Sequence, residues 1–465
     1  MRKQITTILI LIPFISGISS CEKFLDVGTP KTEAASRDVF MNESTATVAM
    51  LSVYGDFMKG ASSINASSML SQSADELDNY STPPAVNYYT NNLNYIDNND
   101  FWTLYYTVIY QANAVWEGVN ASAALGNMVK EQLSGEALFV RAFFHFYLVN
   151  LFGDIPYQTT TNYKVLQAAG RMPVTEVYEN IIRDLKAAKQ LLSDQFLNAA
   201  NQPGVERVRP NKNAAHAMLA RVYLYREDWR NAILEADSVI NNTSTYRLLA
   251  DLNQVFKKNS QETIWQMMPS SPVNTNGFEG PAFIINFPPS VLQPLAMSNQ
   301  LWNAFETGDK RKQNWTGSFL SYHYPYKYKV KATGQPVTEY SMVLRLAELY
   351  LIRAEALTQE GELAGAIDNV DSIRNRAGLP LLSITNPAIG KDELLSAIQK
   401  ERNLELFTEW GHRWLDLKRT GKAGEVLSPL KGDNWQSTDL LFPIPKTQID
   451  LAPAFKGKQN PGYDG

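Results

Sequence analysis

Lys400-Glu-Arg-Asn-Leu-Glu-Leu-Phe-Thr-Glu-Trp-Gly-His-Arg-Trp-Leu-Asp-Leu-Lys-Arg-Thr-Gly421 mixes two kinds of residue that seldom share a surface. Leu404, Phe407, Trp410, Trp414 and Leu417 recur every three or four positions and predict one apolar face of helical turns. Glu401, Arg402, Glu405, Glu409, Arg413 and Asp416 stand among them. Charges this close to Trp and Phe need partners, because an unpaired buried charge is costly. Two readings are open: a carboxylate pair doing acid–base work, or an ion-paired network locking a helix to a core. The second is preferred, since paired charges also arise without catalysis. Gly411 is expected to interrupt the helix and turn the chain.

Working outward, the chain has 465 residues, enough for about three domain-sized units. Its 44% hydrophobic and 19% charged residues are values of a folded chain with a large core. With 22 Tyr, 20 Phe and 9 Trp, some surface is expected to be lined with rings. A formal charge of −4 makes no electrostatic case for nucleic acid. Arg2 and Lys3, then the mostly apolar Ile5 to Ile15, then Ser16, Gly17, Ser19 and Ser20 read as a signal peptide over 1–20. That apolar run is too short to span a bilayer, which takes about 20 residues. Cys21 is the single cysteine, so neither an intramolecular disulfide nor a Cys-based zinc or redox motif is available. Ile18-Ser19-Ser20-Cys21 resembles a bacterial lipobox, which makes Cys21 the expected acceptor of a lipid anchor.

A helix is expected over Thr45 to Lys59, with Val48, Leu51, Tyr54 and Met58 on one stripe. From Gly60 to Asp100 the composition turns to Ser, Asn, Asp, Pro and Tyr, and a long irregular excursion is expected. Asp97-Asn98-Asn99-Asp100 faintly suggests a calcium loop but lacks the later Gly and Glu, so no metal is expected. Phe101 to Gly118 and Lys130 to Phe152 read as strong helices, the second apolar all round and ended by Gly153 and Pro156. His145 in that run reads as a core histidine, because no second His or Cys stands at metal spacing. Pro173 to Gln195 reads as an amphipathic helix. His216, Ala220, Tyr223, Ala232, Ala236 and Val239 then share their internal spacings with Tyr350, Ala354, Leu357, Ala366, Val370 and Ile373. Small residues at these offsets suit a tetratricopeptide-like helix pair, of which at least three are expected in a stack.

Between the repeats, Gln261 to Glu339 reads as a second irregular region. It opens on a strand-like Glu262-Thr-Ile-Trp-Gln-Met-Met and carries Trp302, Phe305, Trp315 and Phe319. Tyr322, Tyr324, Tyr326 and Tyr328 alternate strictly, as in a strand showing rings on one side. The Pro-rich end, from Leu440 to Tyr463, is expected to strap across the surface.

In order, these landmarks resemble the SusD/RagB family of outer-membrane nutrient-binding lipoproteins. The matching residues are Cys21 with Phe24-Leu25-Asp26, Arg141-Ala142, Phe152-Gly153-Asp154, Arg345-Leu-Ala-Glu-Leu-Tyr-Leu and Ala354-Glu-Ala-Leu. Arg374-Asn-Arg-Ala-Gly378, Glu401-Arg402, Asp416-Leu-Lys-Arg, Phe442-Pro-Ile-Pro and Gln459-Asn-Pro-Gly-Tyr463 complete the set. Trp410, where such proteins often carry Gly or another turn residue, and Ile18 in the lipobox depart from the pattern. The resemblance implies a mainly α fold, with tetratricopeptide-like repeats as scaffold and a loop-rich ligand-binding face. It implies an N-terminal part over 21–230 and a C-terminal part over 231–465, the latter with loops at 261–339 and a helical repeat at 342–376. It also implies a lipid anchor, display on the cell exterior, glycan binding without catalysis or cofactor, and a SusC-like TonB-dependent barrel as partner.

Ligand-contacting residues do not carry over from the family, so the residues themselves supply the map. Aromatic faces stack on the C–H face of sugar rings while polar groups take the hydroxyls. Tyr80, Tyr88, Tyr89, Trp302, Trp315, Tyr322 and Tyr324 are the platform candidates, with Asp75 and Asp78 as polar candidates. A surface glycoside hydrolase is the rival class, with Asp75, Glu76 and Asp78 as its plausible acidic cluster. A helical-repeat scaffold that binds only protein is a third.

Overall fold

The computed structural model describes residues 38–59, 64–83, 85–96, 100–270 and 276–463; the signal segment and Cys21 lie outside them. The longer helices are α1 (Glu43–Phe57), α2 (Asn65–Ser73), α3 (Trp102–Ala121), α4 (Asn127–Phe152), α5 (Val174–Leu191) and α6 (Lys212–Tyr225). After them come α7 (Trp229–Ile240), α8 (Leu346–Glu360), α9 (Leu363–Ala377), α10 (Lys391–Leu406), α11 (His412–Arg419) and α12 (Ala423–Lys431). The strands are short: β1 (Leu77–Asn79), β2 (Thr263–Met267), β3 (Leu295–Met297), β4 (Thr316–Phe319), β5 (Tyr322–Pro325) and β6 (Ser341–Arg345).

The helices stack in sequence. α4 packs between α3 and α5, α5 meets α6, α7 lies between α6 and α8, and α8 also packs on α9 and α10. α4 is buried all round, as a helix without a polar face must be. Gly153, at φ 73°, then turns the chain out of it. At the repeat seam Ala220, Ala232, Ala236, Ala354 and Ala366 are completely buried, so small side chains let the paired helices close up. Gly361 ends α8 in the left-handed conformation and donates its N–H back to the last turn, which allows α9 to start after one further residue.

Residues 230 and 231 fall in the first turn of α7, and one apolar cluster draws on residues from both sides of it. The fold differs from the sequence expectations in three places. The irregular excursion of 60–100 contains α2 and β1, and β1 pairs antiparallel with β3 of the second irregular region. The alternating Tyr run is a strand only over β5: Tyr328 turns into a core cluster, where its hydroxyl accepts the Met342 N–H at 2.9 Å. Finally, α10 stops at Leu406, before Gly411, and Thr408 and Trp410 take positive φ in the turn. Trp410 and Trp414 therefore do not continue the face of Leu404.

The charges of the 400–421 stretch are consumed by structure. Glu401 pairs with Arg374 at 2.6 Å and Arg311 at 2.8 Å; Glu405 pairs with Arg345 at 2.6 Å and with Arg376. Glu409 holds Lys327 at 2.5 Å and Arg345 at 2.7 Å, and Asp416 holds Arg402 at 2.8 Å. Burial alone would push Glu405 up, but Arg376, Arg345 and Arg311 outweigh it and hold the carboxyl well below the ordinary carboxylate range. The ion-paired network ties α10 to β6 and α9, which favours the structural reading of these carboxylates.

Candidate functional site

Two segments far apart in sequence meet at β1 and β3. Leu77, Asp78 and Asn79 lie opposite Met297, Ala296 and Leu295, and the Tyr80 N–H donates to the Pro294 carbonyl at 2.9 Å. β3 in turn lies beside β5 of the β4–β5 hairpin. This places the Tyr80 ring edge-on to Tyr322, with centroids 5.5 Å apart. Tyr80 is 42% exposed, and Tyr322, Tyr324 and Tyr89 are partly exposed. Tyr89 donates its hydroxyl to Asp78 at 3.4 Å. Partial burial pushes the Asp78 carboxyl up, against the Tyr89 bond and the nearby Lys431 charge. In the hairpin, Gly317 faces Tyr324 across the strands, and a Cβ at 317 would collide with that ring. The surface thus carries rings from Tyr80, Tyr322 and Tyr324, beside one partly desolvated carboxylate.

Other sequence candidates are placed elsewhere. Trp315 is fully buried, with its indole N–H donating to the Leu252 carbonyl at 2.9 Å, so it is core and no platform. Tyr88 is 7% exposed, packs edge-on to Phe101 and Phe442, and donates to Asp100 at 3.1 Å. Trp302 is half-buried but spoken for. His323 stacks parallel to it at 3.4 Å, and the Lys312 ammonium lies 4.0 Å from its ring centre. A parallel ring that close leaves the ammonium room only on the opposite face, so neither face of the indole is open. Sequence reasoning passed over His323 and Lys312 because stacking across two elements leaves no local spacing. Leu320, at the tip of the β4–β5 hairpin, is exposed and takes φ 54°.

The acidic cluster is divided. Asp75 receives Arg413 through both oxygens at 2.7 Å. Glu76 is 1% exposed; it accepts from the Ser71 hydroxyl at 2.5 Å and from the Thr408 N–H at 3.3 Å. Burial raises the Glu76 carboxyl to about 7, with the Ser71 bond opposing. Asp75 therefore ties the segment after α2 to α11, Glu76 ties it to the turn before α11, and only Asp78 reaches the ring-bearing surface. Among the described residues no group of three or more His, Cys, Asp or Glu could hold a metal ion, and no helix is long and apolar enough to cross a membrane.

A helical-repeat scaffold thus gathers two irregular segments into one aromatic surface. Comparison with known proteins gives the family. A family model described as "Starch-binding associating with outer membrane" matches residues 23–224, and one described as "SusD family" matches 292–463. SusD-like protein P2 of Formosa agariphila is 30% identical over 421 residues, covering 78% of this chain and 80% of the relative. SusD-like protein P25 of the same organism is 23% identical and covers 99% and 100%. Among solved structures, a laminarin-binding SusD-like protein superposes with a TM-score of 0.75 at 24% identity, over 90% of this chain and 99% of that one. Surface glycan-binding protein A from Bacteroides thetaiotaomicron does so with a TM-score of 0.75 at 19% identity, over 91% and 100%. The chain belongs to the SusD family.

Proposed function

We propose that this chain is a non-catalytic, lipid-anchored protein of the outer cell surface. It captures an oligosaccharide or polysaccharide and passes it to a SusC-like TonB-dependent transporter. The observation that carries the reading is the convergence of Asp78, Tyr80 and Tyr89 from one segment with Tyr322 and Tyr324 from another. Partly exposed rings stack on the apolar faces of sugars, and Asp78 and the tyrosine hydroxyls accept and donate to sugar hydroxyls. Relatives named for laminarin and surface-glycan binding support the same ligand class. Two carboxylates flanking a scissile bond are what hydrolysis requires. With Asp75 clasped by Arg413 and Glu76 buried, the acidic cluster offers no such pair.

A glycan array on purified protein, followed by titration of the best ligand, tests this. Tyr80→Ala and Tyr322→Ala are each expected to weaken binding about tenfold. Unchanged affinity in both rejects the face. Sugar release by the wild type that Asp75→Asn abolishes would install the hydrolase instead. Delivery is checked by copurification from membranes: an associated barrel supports it, and its absence under mild detergent counts against it. Labelled palmitate retained by the wild type and lost in Cys21→Ser tests the anchor.

A further inference from the structure

The last residue of α12 reaches the segment that carries Tyr89. Lys431 donates to the Gln72 carbonyl at 2.6 Å, to the Tyr89 carbonyl at 2.8 Å and to Asn91 Oδ1 at 2.7 Å. A lysine ammonium has three donors, so these bonds use all of them. None of the three acceptors is a carboxylate. Gln72 ends α2, before β1 in the chain, while Tyr89 and Asn91 follow β1. Gln72 is also the acceptor, through Oε1, for the Asn79 side chain at 2.6 Å, and Asn79 Nδ2 lies 3.0 Å from the Ala85 carbonyl. The segment over 85–92 forms neither helix nor strand; its own main-chain bonds are Thr90 N–H to Val86 and Asn92 N–H to Asn87, both at 2.9 Å. Asn91 takes φ 52° there. The ammonium also lies 5.5 Å from the centre of the Tyr89 ring.

We infer that Lys431 is a positioning residue for ligand capture: by holding the Tyr89 carbonyl and the Asn91 side chain against the end of α2, it fixes the Tyr89 ring beside Asp78. The inference rests on the reading of the aromatic surface as a glycan site. A stacking ring works only at a set height and tilt, and a segment without regular structure does not supply these by itself. Lys431 supplies them from a helix end far along the chain, through the carbonyl of the ring-bearing residue itself. Without the ammonium, two main-chain carbonyls and one amide oxygen lose their donor. The turn at Asn91 then relaxes, and the Tyr89 hydroxyl loses its place 3.4 Å from Asp78. Tyr80 is held differently, by its N–H on the Pro294 carbonyl and its ring against Tyr322, so its contribution does not pass through Lys431.

The test is a double-variant cycle on the full mature chain, titrated at pH 6 with the tightest-binding oligosaccharide of the glycan array. Burial pushes the Lys431 ammonium down to about 7, against the pull of the Asp75, Asp439 and Asp78 charges, so at pH 6 it is charged. Lys431→Met keeps the length of the side chain and removes its donors. It is expected to weaken binding about tenfold in the wild-type background and not at all in a Tyr89→Ala background, because both changes act through one ring. Combined with Tyr80→Ala, the two losses are expected to multiply. Restoring the cation is expected to restore affinity. Cys21 is the single cysteine, so in a Cys21→Ser chain Lys431→Cys is alkylated selectively by bromoethylamine, which rebuilds an ammonium of nearly the same reach. Wild-type affinity in Lys431→Met overturns the proposal. So does an equal loss in the Tyr89→Ala background, which would mark a general structural role. Asn91→Gly suits φ 52°, removes one of the three acceptors and carries the same cycle if Lys431→Met does not fold. Failure of the surface reading is a separate result: Tyr80→Ala and Tyr322→Ala would then leave affinity unchanged, whereas an error about Lys431 alone leaves those two losses intact. An array without any binder overturns both.

Discussion

Glu76 and Gly411 meet at one joint, and each makes a residue-scale prediction. Burial raises the Glu76 carboxyl from the ordinary range to about 7. The folded protein therefore binds a proton there that the unfolded chain releases above about 4.3. Its stabilising contribution is complete below that value and is lost as pH rises through about 7. Glu76→Gln keeps an amide oxygen to accept from the Thr408 N–H and the Ser71 hydroxyl, and carries no charge at any pH. It is expected to match the wild type in urea unfolding at pH 4, where both states are protonated. At pH 8 it is expected to be more stable by on the order of 3–4 kcal/mol; equal pH dependence in the two proteins would refute the account. Gly411 has φ 72°, and a Cβ there would run into the Leu70 side chain. Gly411→Ala therefore combines backbone strain with a clash and is expected to cost about 2–4 kcal/mol, read as a lower urea midpoint. That a turn lies near Gly411 was legible in the sequence. That Thr408 and Trp410 share the strain was not, because it is the docking of α2 that holds the turn open: the Trp410 N–H donates to the Ser67 hydroxyl at 2.9 Å.

Among the elements, α10 shows what a buried charge network does. Glu405 lies between Arg345, Arg376 and Arg311, all nearly inaccessible to water. Glu405→Gln would leave three guanidinium groups short of a counter-charge in the interior. A loss of about 3–5 kcal/mol is expected, against almost none for the exposed Lys422→Ala. Urea denaturation of the two variants side by side checks the contrast, and a loss below about 1 kcal/mol for Glu405→Gln would mean that the network relaxes freely. The alternating Tyr run teaches a complementary lesson. Period two predicts a strand and its two faces, yet β5 ends at Pro325 because only β4 is there to pair with it. Beyond that point tertiary packing decides, and Tyr328 goes inward.

For the whole molecule, the acid limb of stability follows from carboxylates held low. Arg374 and Lys400 hold Glu306 down to about 2 against the effect of burial, while Arg402 and Arg419 outweigh burial to depress Asp416. Groups lowered in the folded state contribute stability above their unfolded values, and that contribution is lost as pH falls through their folded ones. The thermal midpoint is therefore expected to fall steadily from about pH 4.5 downward; a flat profile to pH 2.5 would contradict the pairing. The amino-acid sequence by itself determined the class of fold, because helical periodicity, small residues at repeat offsets and glycine stops are local properties that survive in one dimension. It also determined that the charges of 400–421 need partners, since dielectric cost depends only on their apolar neighbours. Which partners, and which rings stay in water, only the tertiary structure decided. Trp315 and Tyr322 look alike in sequence, but one is drawn into the core beneath Leu252 and the other is left beside Tyr80. Burial belongs to the three-dimensional arrangement of segments brought together from opposite ends of the chain, and no spacing along the chain records it.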